Sequence, residues 1–187
     1  MAKQPMETLW RTVLWQQFGA AIDMLENALL ACPAPLWRER LWSVPSNDSF
    51  PQEFAEFWYI TYHTLFWLDL YLSGLREEDF TPPAPFIWTE LDSNVSSERF
   101  YTKEELHTYL ASTRRKCHVR LLALTNEQAC QVVEYPWAQG QVVSFLELQF
   151  YNMRHVQEHA AQLSLFLGQH GVPGELLDWV PRAKDET

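Results

Sequence analysis

Basic residues are scarce in this chain: Lys and Arg number 14 among 187 residues against 24 Asp and Glu, which leaves a net charge of −10 at pH 7. A phosphate-backbone partner needs a basic stripe, so nucleic acid is excluded as the expected partner. Cysteine is scarcer still. Cys32, Cys117 and Cys130 are far apart, odd in number and without a CxxC pair, which argues against a disulfide framework or a thiolate zinc site and fits a reducing cytoplasm. Long apolar runs are missing. The longest, "FWYITYHTLFWLDLYL" at 57–72, contains His63 and Asp69 and is too short and too polar to span a bilayer. The opening "MAKQPMETLWRTVLWQQFG" places Glu7 and Arg11 where a secretory signal keeps an uninterrupted apolar stretch, so neither export nor a membrane partner is expected. No internal repeat, low-complexity tract or long strand-like alternation is present.

What the chain does have is aromatic mass. Trp, Tyr and Phe make up 14 % of residues, with nine Trp, so the interior is built around large flat rings. The length suits one domain over 1–187 with a full core, and is short for two.

Hydrophobic periodicity predicts four helices. The first runs from about Met6 to Ala31, with Trp10, Val13, Leu14, Ala21, Met24, Leu25 and Ala28 on one stripe, Gln17 on the same stripe, and "CPAP" as the stop. The second runs from about Phe50 to Ser73, after a Ser49-x-x-Gln52 capping box with Pro51 in its first turn, and ends at Gly74. The third opens on the box Thr102-Lys103-Glu104-Glu105 and runs to about Leu124. The fourth opens on Ser144-Phe145-Leu146-Glu147 and runs to Gln169, with His170 and Gly171 as its cap. "QVVEYPWAQGQVV" has room for a short extended piece. The connections at 32–49, 74–101 and 125–143 are far longer than the roughly 2–8 residues usual in bundles. Length of that kind lets successive helices lie parallel, or covers a site. The aromatics Phe86, Ile87 and Trp88 after "PPAP" read as a packed overlay. The fold class is therefore all-α.

"YNMRHVQEHAAQL" at 151–163 carries His155 and His159 at i, i+4, close enough in angle for both rings to converge on one metal ion. Leu148, Tyr151 and Leu163 mark that face as inward. His63 on the aromatic second helix is the expected third ligand, and Glu56, two turns earlier, is expected at the mouth of a pocket. Gln17, Tyr151, Asn152 and Gln162 are pocket or supporting candidates. His107 and His118 are read as solvated, His170 as a helix cap, Cys117 and Cys130 as packing residues, and Arg38, Arg40, Arg114, Arg115 and Lys116 as a solvated face.

Most of the chain resembles the DinB-like family of metal-dependent four-helix bundles, through "FGAAIDMLENAL", "YHTLFWLDLYL", "YTKEELHTYL" and above all "YNMRHVQEHAAQL". The resemblance implies a bundle with long crossover connections. It also implies a divalent metal, nickel or zinc and in some members iron, held by one histidine of the second helix and two of the fourth, here His63, His155 and His159. It further implies a homodimer, and thiol S-transferase-like chemistry on a small electrophile with a low-molecular-weight thiol as partner. A metal-dependent hydrolase and a non-catalytic metal- or small-molecule-binding bundle are the alternatives.

Overall fold

The computed structural model describes residues 6–43, 51–87, 99–135 and 141–184, with side chains from Leu9 onward. The chain is all-α: α1 (Met6–Ala31), α2 (Phe57–Ser73), α3 (Lys103–Leu122), the single turn α4 (Asn126–Ala129) and α5 (Phe145–Gln169). A two-residue ribbon is added where Val132–Val133 (β1) pairs antiparallel with Val143–Ser144 (β2), the extended piece expected in that stretch. No described helix is long and apolar enough to cross a membrane.

Local chemistry explains most of the boundaries. Thr102 and Glu105 form a complete capping box at the start of α3, and Thr125 and Gln128 form another at α4. Ser144 accepts from the Glu147 N–H at the start of α5. Gly74 ends α2 in the left-handed region at φ 70°, where a Cβ would be strained.

The start of α2 is a correction. It lies at Phe57 instead of Phe50, because 52–55 form a 3-10 turn and Glu56 is extended, paired with Arg40 in an isolated bridge. The backbone there bonds to the first connection: Leu41 N donates to Ala55 O at 2.8 Å, Phe57 N to Glu39 O at 3.0 Å and Trp58 N to Trp37 O at 3.1 Å. Those partners compete with helix and win. Ser49 of the expected capping box lies outside the described residues, as does Trp88.

Each long helix has two main neighbours. α1 packs on α3 and α5, and α2 packs on the same two, so α1 and α2, consecutive in sequence, do not form a main pair. Directions follow from side-chain contacts. Along α2 and α5, Tyr71 meets Gln149, Leu68 meets Asn152 and Phe57 meets Phe166, which is antiparallel. Along α2 and α3, Tyr62 meets Tyr101 and Asp69 meets Tyr109, which is parallel. Glu26 meets His107 and Trp15 meets His118, so α1 and α3 are antiparallel.

Two carboxylates are buried in this interior. Asp23 of α1, fully buried, accepts from Arg114 Nε of α3 at 2.7 Å and from the Lys184 N–H at 2.6 Å. Asp69 of α2 accepts from Tyr109 Oη at 3.0 Å and pairs with Lys116 Nζ. Arg114 and Lys116 were expected on a solvated face; instead they neutralise charges that burial would otherwise make costly. Likewise His107 is bonded to Glu26 at 2.9 Å and His118 rests on Trp15, so neither is simply solvated. Of the cysteines, Cys117 is buried as expected, while Cys130 is exposed. Val13, expected inside, is 48 % exposed.

The described part of the second connection forms an overlay through Phe86, while Ile87, expected to pack with it, is 38 % exposed. Phe80 packs edge-on against Phe66, and Phe86 stacks between Tyr62 and Tyr109. At the other end, residues 178–184 run along α1: Ala183 N donates to Gln16 O at 2.8 Å and Gln17 Nε2 to Pro181 O at 3.3 Å. Gly19 permits this approach, since a Cβ there would fall 2.5 Å from the Ala183 Cβ.

Candidate metal centre

α2 is apolar on nearly every side and buried along its length; only His63, Trp67 and Ser73 are partly open. That opening faces α5, where Tyr151, His155, His159 and Gln162 are also half-buried. The antiparallel pairing of α2 and α5 brings the three expected histidines to one level. His155 Nε2 lies 3.1 Å from His63 Nε2 and 3.1 Å from His159 Nε2. All three ring nitrogens fall within 4.8 Å of one another. The rings are steeply inclined, with His159 at 88° to each of the other two, so the nitrogens converge without the rings stacking.

The donor set can be tested against a metal on chemistry alone. Nitrogens each about 2.0–2.1 Å from a shared ion lie roughly 3–3.5 Å apart, and the two 3.1 Å separations meet that condition. His159 Nδ1 sits 2.8 Å from Gln162 Oε1, so its Nδ1–H donates there and Nε2 keeps its lone pair for the centre. His155 Nε2 touches both neighbours, and one proton on it can serve only one of them at a time. A divalent cation can accept all three lone pairs.

Charging His155 is no substitute. Burial first, then the nearby His63 and His159, push the His155 imidazole down to about 2, so it stays neutral at any ordinary pH. Neutral is the form that ligates. Its Nδ1 is buried and has no hydrogen-bond partner among the described residues.

Aromatic side chains flank the histidines on both sides along α2. Trp67 stands edge-on to His63 with ring centroids 6.4 Å apart, and beyond it Tyr71 meets Trp67, Tyr135 and Tyr151. One turn before His63, Tyr59 stacks on Phe54 at 4.2 Å. Tyr151 packs on Tyr71 on the same half-open side, and Gln162 bonds to His159 Nδ1.

The other candidates sit elsewhere. Gln17 is exposed on α1, where its amide donates to the Pro181 carbonyl. Asn152 is fully buried and donates to the Leu68 carbonyl, locking α5 to α2 without touching the three rings' nitrogens. Glu56 does line a pocket, but as the partner of Trp58 Nε1 at 2.7 Å and Arg38 Nε at 3.3 Å.

The grouping of His63 with the other two was legible from helix periodicity. The buried carboxylates Asp23 and Asp69 were not singled out, although an acid within "AIDML" or "WLDLYL" signals a cation on a facing element.

No protein-family model, no curated protein and no solved structure matches this chain.

Proposed function

We propose that this chain is a four-helix bundle with long crossover connections, of the DinB-like kind, and a metal-dependent enzyme of the cytoplasm that acts on a small electrophile. The neighbour pattern supports the architecture: each of α1 and α2 packs on both α3 and α5, α2 runs parallel to α3, and long connections join them. The observation that carries the function is the convergence of three half-buried imidazoles, His155 Nε2 lying 3.1 Å from both His63 Nε2 and His159 Nε2.

The three imidazoles would hold a divalent ion, nickel or zinc in first place. Such an ion lowers the pKa of a thiol or water toward neutrality when bound and thereby supplies a nucleophile. The chain's own residues do the rest. Gln162 fixes the His159 tautomer and ring angle, burial keeps His155 neutral, and Trp67, edge-on beside His63, offers an apolar surface that orients an electrophile. Three neutral ligands leave the ion its full charge, which suits a catalytic centre better than a closed structural one.

Protein purified without chelator or affinity-tag metal is expected to contain near-stoichiometric divalent ion. His159→Ala should lose most of it while keeping the helical circular dichroism, since a core this size folds without metal. Metal-dependent conjugation of a haloaromatic with at least one low-molecular-weight thiol is then expected. Rates equal to those of His63→Ala for every thiol would reject transferase chemistry and favour hydrolysis or a non-catalytic centre. A metal-replete His159→Ala would reject the site itself.

A further inference from the structure

Three side-chain atoms along α5 are buried without a hydrogen-bond partner among the described residues: Gln149 Oε1, Asn152 Oδ1 and His155 Nδ1. We propose that one buried water joins the last two, accepting from His155 Nδ1–H and donating to Asn152 Oδ1. Asn152 is then the positioning residue of His155, as Gln162 is of His159.

The two atoms are complementary in kind. Asn152 Nδ2 donates to the Leu68 carbonyl at 3.2 Å, and that bond fixes which end of the amide is the oxygen, an acceptor. His155 turns Nε2 toward His63 and His159. With the Nε2 lone pair given to an ion, the single proton of the neutral ring sits on Nδ1, a donor.

They are also neighbours. Three residues along a helix rise about 4.5 Å and differ by about 60° in direction. A helical side chain leans back over the turn before its own Cα, which carries the His155 ring toward Asn152. One water spans up to about 5.6 Å, as two bonds of about 2.8 Å each. Gln149 stands six residues from His155, about 9 Å along the axis and outside that span. A trapped water is the usual partner of buried groups that reach no protein atom. Because Asn152 is fully buried and tied to the α2 backbone, the bridge sets the His155 ring against the helix that carries His63. The bridge stands on these atoms, while its effect on an ion rests on the metal reading above.

The test uses the full chain, with zinc as the probe. NMR is expected to show a long-lived water in contact with both the Asn152 side-chain amide and the His155 ring, with and without zinc, and a protonated His155 Nδ1 in the zinc-loaded form. In competition with a chromophoric chelator, Asn152→Leu should weaken zinc about tenfold or more. Gln149→Leu is the matched control, since Gln149 is equally buried and donates to the Tyr71 carbonyl at 2.9 Å; it should change zinc affinity by no more than about twofold. A purely structural role for Asn152 predicts that the two variants behave alike. Equal weakening in both, a bare Nδ1 in the zinc-loaded form, or no water shared by Asn152 and His155 would overturn the proposal. Tight zinc without the shared water sinks the bridge alone, whereas the shared water in a chain that takes up no zinc sinks the metal reading alone.

Discussion

At the scale of single residues, the proposed centre depends on a neutral side chain as much as on its ligands. Gln162 Oε1 lies 2.8 Å from His159 Nδ1, and removing such an outer partner from a metal-ligating histidine typically costs about 10–100-fold in affinity. Gln162→Leu is therefore expected to weaken metal binding by that order, with Gln162→Glu retaining most of it, in a competition assay against a chromophoric chelator. A second residue-scale outcome concerns stability. Arg114 is the cation opposite the fully buried Asp23, and stripping one partner from a buried pair costs about 3–5 kcal/mol. Arg114→Ala should lose stability of that order in urea unfolding, while the joint exchange Asp23→Leu with Arg114→Met should lose much less.

At the scale of elements, the sequence was most informative where a side chain or a glycine acts on its own backbone. Thr102 with Glu105 at the start of α3, Ser144 at the start of α5 and Gly74 after α2 are local devices, and the helices begin or end where they stand. The start of α2 was misplaced for the opposite reason: the competing bonds come from Glu39 and Trp37, distant positions that a local pattern does not register. The histidine centre was legible because two ligands share one helix, and His63 is the polar residue on the open side of an apolar one. The roles of Arg114 and Lys116 were hidden because a charged residue on an amphipathic helix reads as solvated until the facing acid is known. Close packing of elements also yields a test. Gly19 leaves room for the 178–184 segment against α1, and a Cβ would stand 2.5 Å from Ala183. Gly19→Val should push that segment away and expose it to limited proteolysis, while leaving the metal content unchanged.

For the whole molecule, acid stability follows from a ring that refuses a proton when folded. The His155 imidazole is lowered from an ordinary value near 6.5 to about 2 by burial and its two neighbours. In the metal-free chain the unfolded state takes up a proton below about pH 6.5 that the folded state does not. The stability is thus complete above that pH and falls as pH drops below it, by up to about 1.4 kcal/mol per unit. Urea midpoints between pH 7.5 and 5, a range above most carboxylate titration, should fall more steeply for the wild type than for a His155→Asn variant.

The neighbour pattern of α1 also has a consequence in time. Its main partners are α3 and α5, both made later in synthesis than the adjacent α2, and the histidine cluster joins residues 92 positions apart. Folding cannot proceed by zipping successive hairpins, since the first two helices offer each other little. Loop-closure entropy must be met across most of the chain before the main contacts reward it. A growing chain thus stays without its core until α3 exists, and without its histidine centre until α5 does. If the proposed centre takes up its ion, capture by all three rings is then the last event on the pathway, and an ion so held is a certificate that folding has finished.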